Sequence, residues 1–385
     1  MRGNPSTSFL YQKMSKSNSE QKFLLALQMI EGVGPATLRK LIDFAGSARE
    51  AFYLNQKQLK DIPRLHPKLY GALGDSKTLE SADAELAFCQ KHNIKVLSYL
   101  DPDYPQRLKH CKDAPVVLFC QGNIDLNYRK IIGIVGTRKA TVYGTSLVER
   151  LIEDLAAHQH QVLIVSGLAY GIDITAHKAA IENGLPTVGV MGSGSDVIYP
   201  SSHRNIVKKM LKNGGVITEF PKGTKPDRGN FVTRNRVIAG MVDALIVAES
   251  GEKGGSLITA DMAFSYNRDV FAFPGKVGDT YSAGCNKIIK TQKAALLETV
   301  SDIEYVMNWA PETAVSEPVQ TSLFEGLSPE ERTIMELIVE DGVVAVDYLA
   351  AKLALPVSHV SGVLLGLELK NMVKSLPGNQ YTKSV

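Results

Sequence analysis

A chain of 385 residues exceeds one compact domain; at about 150 residues per domain, two to three are expected. Its 44% hydrophobic and 22% charged residues exclude a wholly disordered, collagenous or membrane-embedded chain. The net charge of +3, from 43 basic and 40 acidic residues, neither requires nor excludes a polyanionic partner, so the distribution of charge carries the information. Cys89, Cys111, Cys120 and Cys285 lie far apart, with no CxxC pair and no histidine at ligand spacing. Neither a disulfide framework nor a metal site is expected, and a reducing cytoplasm fits. No run of about 18 apolar residues predicts a membrane span. The polar, Ser-rich stretch 1–19 reads as a disordered leader rather than a signal peptide.

From Glu20 to about residue 85 the pattern is helical, with Phe23, Leu24, Leu27 and Ile30, then Leu38, Leu41 and Ile42, recurring at spacings of three and four. Between these runs, Glu31-Gly32-Val33-Gly34-Pro35 suits the turn of a helix-hairpin-helix, since glycine permits positive φ and Pro35 suits a first helical turn. From residue 90 to 308 short apolar runs alternate with amphipathic helices such as Val142 to His158 and Ile172 to Asn183. The runs are Val116–Phe119, Lys130–Gly136, Val162–Gly167, Thr187–Gly192, Ala244–Glu249 and Val270–Gly275. Apolar on both faces, they predict buried parallel strands in a doubly wound α/β domain. Residues 309–325 read as a linker. Residues 326–385 predict three helices, the first capped by Ser328 with Pro329 at N1, and a hairpin turning at Pro377-Gly378-Asn379, a winged-helix pattern.

Nearly every predicted strand ends in glycine or a small polar residue: Gly136-Thr137-Arg138, Ser166-Gly167, Gly192-Ser193-Gly194, Glu249-Ser250-Gly251 and Pro274-Gly275. Ligands of open parallel sheets sit at these ends, where helix N-termini offer unpaired N–H groups, so a phosphate-bearing ligand is expected. Between Tyr199 and Gly240, nine bases stand against Glu219 and Asp227, a local charge of +7. Within that segment Phe231 is placed to stack a base, and Arg234, Asn235 and Arg236, at an expected helix start, to bind phosphates or base edges. Residues 298–350 are the opposite, twelve acids against Arg332. The expected recognition helix Val357–Leu369 carries Glu368 and no Lys or Arg, which favours protein over DNA contact.

The chain has no G-x-x-x-x-G-K-[ST] loop and no complete dinucleotide fingerprint. Ser166 and Ser193 lie outside any G-x-S-x-G, His177 and His203 are single, and Asp173 and Glu249 make no paired-carboxylate site. No catalytic constellation and no cofactor are expected.

The blocks GIVGTR from Gly133 to Arg138, SGLAYGIDITAH from Ser166 to His177, GSGSDVIYP from Gly192 to Pro200, NFVTRNRVIAG from Asn230 to Gly240, GGSLITADMA from Gly254 to Ala263 and RDVFAFPG from Arg268 to Gly275 resemble the DNA processing protein A (DprA, or Smf) family. With the flanking modules, the resemblance covers nearly the whole chain. It implies an extended Rossmann-like domain between a SAM or helix-hairpin-helix-like helical module and a winged helix. It further implies a homodimeric, non-enzymatic, cytoplasmic protein that binds single-stranded DNA and loads RecA recombinase onto it during natural transformation, with single-strand-binding protein as a further partner. Carried over by position, the DNA-binding residues would be Gly136, Arg138, Ser166, Gly167, Gly192, Ser193, Gly194, Arg204, Phe231, Arg234, Asn235, Arg236, Gly255, Ser256 and Thr259, with no metal ligand. Two departures stand out: Ser201-Ser202-His203 precede Arg204 where a base soon after Tyr-Pro is common, and Lys290 to Ala294 differ from the usual Arg and Gly-Ala. The alternative is a Rossmann-like nucleoside monophosphate phosphoribohydrolase, although the Gly254-Gly255-Ser256 segment lacks that class's PGGxGTxxE. A transcriptional regulator using the winged helix is a third reading.

Overall fold

A computed structural model describes residues 20–63, 65, 69–310, 327–370, 372–376 and 379–383. The expected leader, most of the expected linker and the expected turn residues Pro377 and Gly378 lie outside the described residues. The chain divides between residues 313 and 314 into two compact units.

In the first unit, nine strands form one sheet among the described residues: β1 (Lys95–Ser98), β2 (Val117–Asn123), β3 (Lys130–Val135), β4 (Val162–Ser166), β5 (Thr187–Val190), β6 (Gly214–Thr218), β7 (Ala244–Val247), β8 (Asp269–Ala272) and β9 (Ala295–Leu296). Their spatial order is 1-2-6-5-4-3-7-8-9. From β6 to β9 every neighbour is parallel. Alternation within each strand fills two cores. Ile131, Val135, Leu163, Val165, Leu245 and Val247 pack with Val237, Ile238, Ala260 and Ala263 of the helices Arg228–Met241 and Gly255–Ser265. Ile132, Ile134, Ile164 and Ile246 pack with Val148, Leu151 and Ala176 of the helices Val142–Ala157 and Ile172–Glu182. Each fully buried Leu, Ile or Val contributes about 1.5–3 kcal/mol, so these two cores dominate the fold.

The run Val116–Phe119 is not parallel as expected: β2 pairs antiparallel with both β1 and β6. Its second face is covered by the N-terminal helices, which substitute for the crossover helix that a parallel strand would need. Val117 and Phe119 share a core with Leu24, Leu27, Leu38, Leu41 and Phe52, and Gln28 clasps β2 by accepting from Val117 N at 2.8 Å. The helix-hairpin-helix turn has the expected form: Gly32 at φ 79°, and Gly34 as N-cap with Pro35 opening the helix Pro35–Ala45. β6 was not expected from the sequence. It begins Gly214-Gly215, and a Cβ on Gly215 would come within 2.1 Å of the Gln121 carbonyl. The glycines that resemble a loop in sequence allow close strand approach.

The second unit is a winged helix. The helices Pro329–Asp341, Val346–Leu353 and Val357–Leu369 surround Ile334, Ile338, Leu349, Val360, Leu364 and Val373. Ser328 and Glu331 close the expected N-cap reciprocally, at 3.2 and 2.9 Å. β10 (Val343–Ala345), β11 (Val373–Leu376) and β12 (Gln380–Lys383) form its sheet in the order 10-12-11; β10 is one strand more than expected. Val357, Ser358, Gly362 and Leu365 give the third helix an uncharged exposed face.

Candidate nucleic-acid interface

Strand order reverses at β3: the chain runs outward through β4, β5 and β6, then returns to β7 on the other side. The crevice beyond the carboxyl ends of β3 and β7 is therefore the switch point at which an open α/β sheet binds ligands. A cavity of about 510 Å³ lies there, lined among others by Gly136, Arg138, Phe231, Arg234, Asn235 and Thr259. Exposed Arg228 and Lys253 also line it, as do Gly254, Gly255 and Ser256 at the start of the helix Gly255–Ser265. An 11-residue helix ending on a cationic cavity offers unpaired N–H groups and the positive dipole end to an anion.

The glycines let the walls of the cavity pack closely. A Cβ on Gly192 would meet the Phe231 ring at 2.6 Å, and one on Gly167 would meet Arg234 Nη1 at 2.5 Å. Gly171, at φ 73°, lets the loop after β3 pass so close that a Cβ would fall 2.3 Å from the Thr137 carbonyl. Exposed Arg138, on that loop, lies over the Phe231 ring at 5.3 Å, and Tyr199 packs against Phe231 at 5.5 Å. A smaller cavity of about 30 Å³ adjoins, lined by Arg138, Tyr170, Tyr199 and Phe231 among others.

Several expected contacts are differently disposed. Ser166 is fully buried and its hydroxyl donates to the Ile134 carbonyl at 2.6 Å; Ser193 is also buried and donates to the Val197 carbonyl at 2.7 Å. Ser256 donates to the Ser250 hydroxyl at 2.9 Å. Arg204 is exposed on the helix Arg204–Met210 and does not line the cavity. The arginines of Asn230–Gly240 require a correction. The helix there starts at Arg228, with Asp227 as its cap accepting from Gly229 N at 2.7 Å, so Arg234 and Arg236 are mid-helix. Arg234 is 3% exposed and donates through Nη1 to the carbonyls of Gly167 and Val190. Arg236 is 7% exposed and pairs with Glu219 and the Asp113 carbonyl. Arg236 is thus turned toward Glu219 and Asp113 and does not line the cavity.

Electrostatics follow this division. Burial lowers Arg234 to about 10, with the nearby Asp173 charge opposing the fall. Burial raises Asp173, against the charge of Arg234 and hydrogen bonds from Ala169 and Gly167. Burial likewise raises Glu219, against Arg236. His177 is fully buried; because the Thr187 hydroxyl donates to the Ile164 carbonyl, His177 Nδ1 donates to that hydroxyl at 2.7 Å. Burial first, then His203 and Arg234, depress it to about 3, so it is a neutral structural histidine at pH 7. Glu249 accepts from Thr141 N and Oγ1 at 2.9 and 2.7 Å, which ties it to the N-cap of the helix Val142–Ala157.

One titratable cluster was not anticipated. His158 Nδ1 and His160 Nε2 both reach Glu304 Oε1 at 2.8 Å. The Lys130 ammonium stands 3.1 Å from His160 Nδ1, so that nitrogen accepts and Nε2 carries the proton given to Glu304. The arrangement is a hydrogen-bonded clasp on Glu304.

The fold defines a Rossmann-like protein with a C-terminal winged helix. The chain belongs to the DNA recombination-mediator protein A family, whose profile matches residues 95–308, more than half its length; a DprA winged-helix profile matches residues 318–379. Protein Smf of Synechocystis is 30% identical over 404 aligned positions, covering 95% of this chain and all of that protein. DprA of Streptococcus pneumoniae is 40% identical over 206 positions, 54% of this chain and 72% of that one. The crystal structure of S. pneumoniae DprA superposes with a TM-score of 0.62 at 32% identity, over 74% of this chain and 97% of that chain. A Helicobacter pylori DprA structure, described by its single-stranded DNA binding mode, gives 0.50 at 28% identity, over 56% of this chain and 95% of that chain.

Proposed function

We propose that this protein binds single-stranded DNA at the β3/β7 switch point and acts in natural transformation, protecting incoming DNA and loading RecA recombinase onto it. The observation that carries this reading is the open cavity on which Arg138, Arg228 and Lys253 converge with a helix N-terminus. Neutralising phosphates by Lys and Arg supplies most sequence-independent affinity, and aromatics beside the cations suit unpaired bases. Gly136, Gly167, Gly192 and Gly194 let Ile172, Arg234, Phe231 and the Pro221 carbonyl pack closely beneath the site, and Gly255 and Ser256 contribute the helix start, with Thr259 one turn on. Arg138, Phe231, Arg234 and Asn235 line the same cavity; Arg234 acts as a fixed charge behind it, and Arg204 extends the cationic surface outside it. Membership of a recombination-mediator family supports the RecA partnership, with single-strand-binding protein as a second partner, a homodimer as the working form and the cytoplasm as its place.

The proposed role is non-enzymatic. The rival phosphoribohydrolase needs a carboxylate free to act on a nucleotide, whereas Glu249 is 2% exposed and bonded to Thr141. Gel-shift titration with an oligonucleotide tests the reading. Affinity should fall steeply between low and moderate salt and exceed that for duplex of equal length; salt-insensitive binding, or release of base from AMP, would overturn it.

A further inference from the structure

Two cavities meet at Arg138. The larger holds the cations and the helix N-terminus; the smaller is bounded by half-exposed aromatic rings, Tyr170 at 50% and Tyr199 at 47% exposure. Both tyrosines are held in place. Tyr199 packs on Phe231, and Tyr170 sits edge-on to His203 at 5.0 Å with its hydroxyl 3.4 Å from Ser202 Oγ. Tyr170 is also tied to the Arg138 loop, because its neighbour Gly171 packs on Thr137 and Ile172 N donates to the Thr137 carbonyl at 3.2 Å. At about 30 Å³ the smaller cavity holds a water or two, not a nucleobase. The exposed Arg138 guanidinium, resting on Phe231, is one of its walls.

We propose that Tyr170 and Tyr199 form a cleft for one unpaired base, which opens when Arg138 leaves the Phe231 ring for a DNA phosphate in the larger cavity. An exposed cation–π contact is weak, and a charge-assisted bond to phosphate is stronger, so backbone binding favours the exchange. Phosphate capture and base capture are thereby coupled through one side chain. A base paired and stacked in duplex cannot enter between the rings, so the cleft selects single strands without reading sequence. This rests on the proposed DNA-binding role and adds to it a base subsite on two tyrosines of the SGLAYGIDITAH and GSGSDVIYP blocks, neither of them among the DNA-binding residues carried over by position.

The test compares oligo-dT with an abasic backbone of equal length, using fluorescence anisotropy on the full chain. The wild type should bind oligo-dT more tightly than the abasic strand. Tyr199→Ala and Tyr170→Ala should each weaken oligo-dT binding roughly ten-fold, the scale of one base–aromatic stack, and leave abasic binding within about two-fold, which also reports an intact fold. Tyr→Phe at either position should restore oligo-dT affinity, and Arg138→Ala should weaken both ligands. Alanine variants that bind oligo-dT as the wild type does, or that lose both ligands equally, overturn the cleft. A wild type that binds neither strand overturns instead the DNA-binding role beneath it.

Discussion

The loop after β3 and the helix Arg228–Met241 both bring arginine to the same cavity, under opposite physical conditions. Arg138 is exposed, with its guanidinium over the face of Phe231. Arg234 and Arg236 are buried and bonded to Gly167, Val190, Asp113 and Glu219. An exposed arginine can exchange partners for a phosphate at little cost; a buried one would leave several buried acceptors unsatisfied. Of the nine bases between Tyr199 and Gly240, the seven other than Arg234 and Arg236 are exposed. The charge available to a ligand is thus smaller than the sequence count, while the buried pair fixes the floor on which the cavity is built.

The comparison breaks most visibly at Arg236. Arg236→Ala should destabilise the first unit by about 3–5 kcal/mol, because Glu219 is left as an uncompensated buried charge, measured by denaturant unfolding. Replacing both by Met and Leu should recover most of that loss; an unchanged midpoint for the single variant would contradict the buried role.

His177 tests the same interior by pH. Its folded value lies near 3 against an ordinary 6.5, so the unfolded chain takes up a proton that the native state refuses. The stability tied to its neutral form is present above pH 6.5 and lost as pH falls toward 3. His177→Asn should remove about one proton from the slope of stability against pH in that window; an unaltered slope would mean that His177 charges in the folded state.

At the exposed end, Arg138→Ala should shift the unfolding free energy by less than about 0.5 kcal/mol yet weaken single-stranded DNA binding roughly ten-fold or more, the scale of a charge-assisted bond. Stability loss without affinity loss would reverse the assignment. The smallest effect lies in the other unit: Ser328→Ala should cost the winged helix about 1 kcal/mol by removing its N-cap, visible as earlier melting of that unit with DNA affinity unchanged.

The central strands were legible because β3, β4, β5, β7 and β8 are apolar on both faces and end in glycine or small polar residues, so the ligand face could be located from sequence. β1, β6 and β9 were not legible. β9 has only two residues, and β6 opens with two glycines inside a basic segment, where the reason for strand is backbone approach rather than side-chain pattern. The burial of Arg234 was equally hidden, since its acceptors lie 67 and 44 residues away in sequence. Nothing local distinguishes a guanidinium aimed inward from one aimed at solvent. Lys253 gives no signal as a solitary lysine, and Tyr170 and Tyr199 look in sequence like spacers within glycine-rich motifs. Their placement beside Arg138 is a property of three loops that meet only in the folded sheet.

The central claim, that the exposed cations of the switch-point cavity hold the phosphates of a single strand, is tested most directly by salt dependence. The slope of log affinity against log salt for an oligonucleotide should become shallower by about 2 in an Arg138→Ala, Arg228→Ala, Lys253→Ala variant, about 0.7 for each phosphate that is no longer neutralised. A variant with the wild-type slope and affinity would contradict the account.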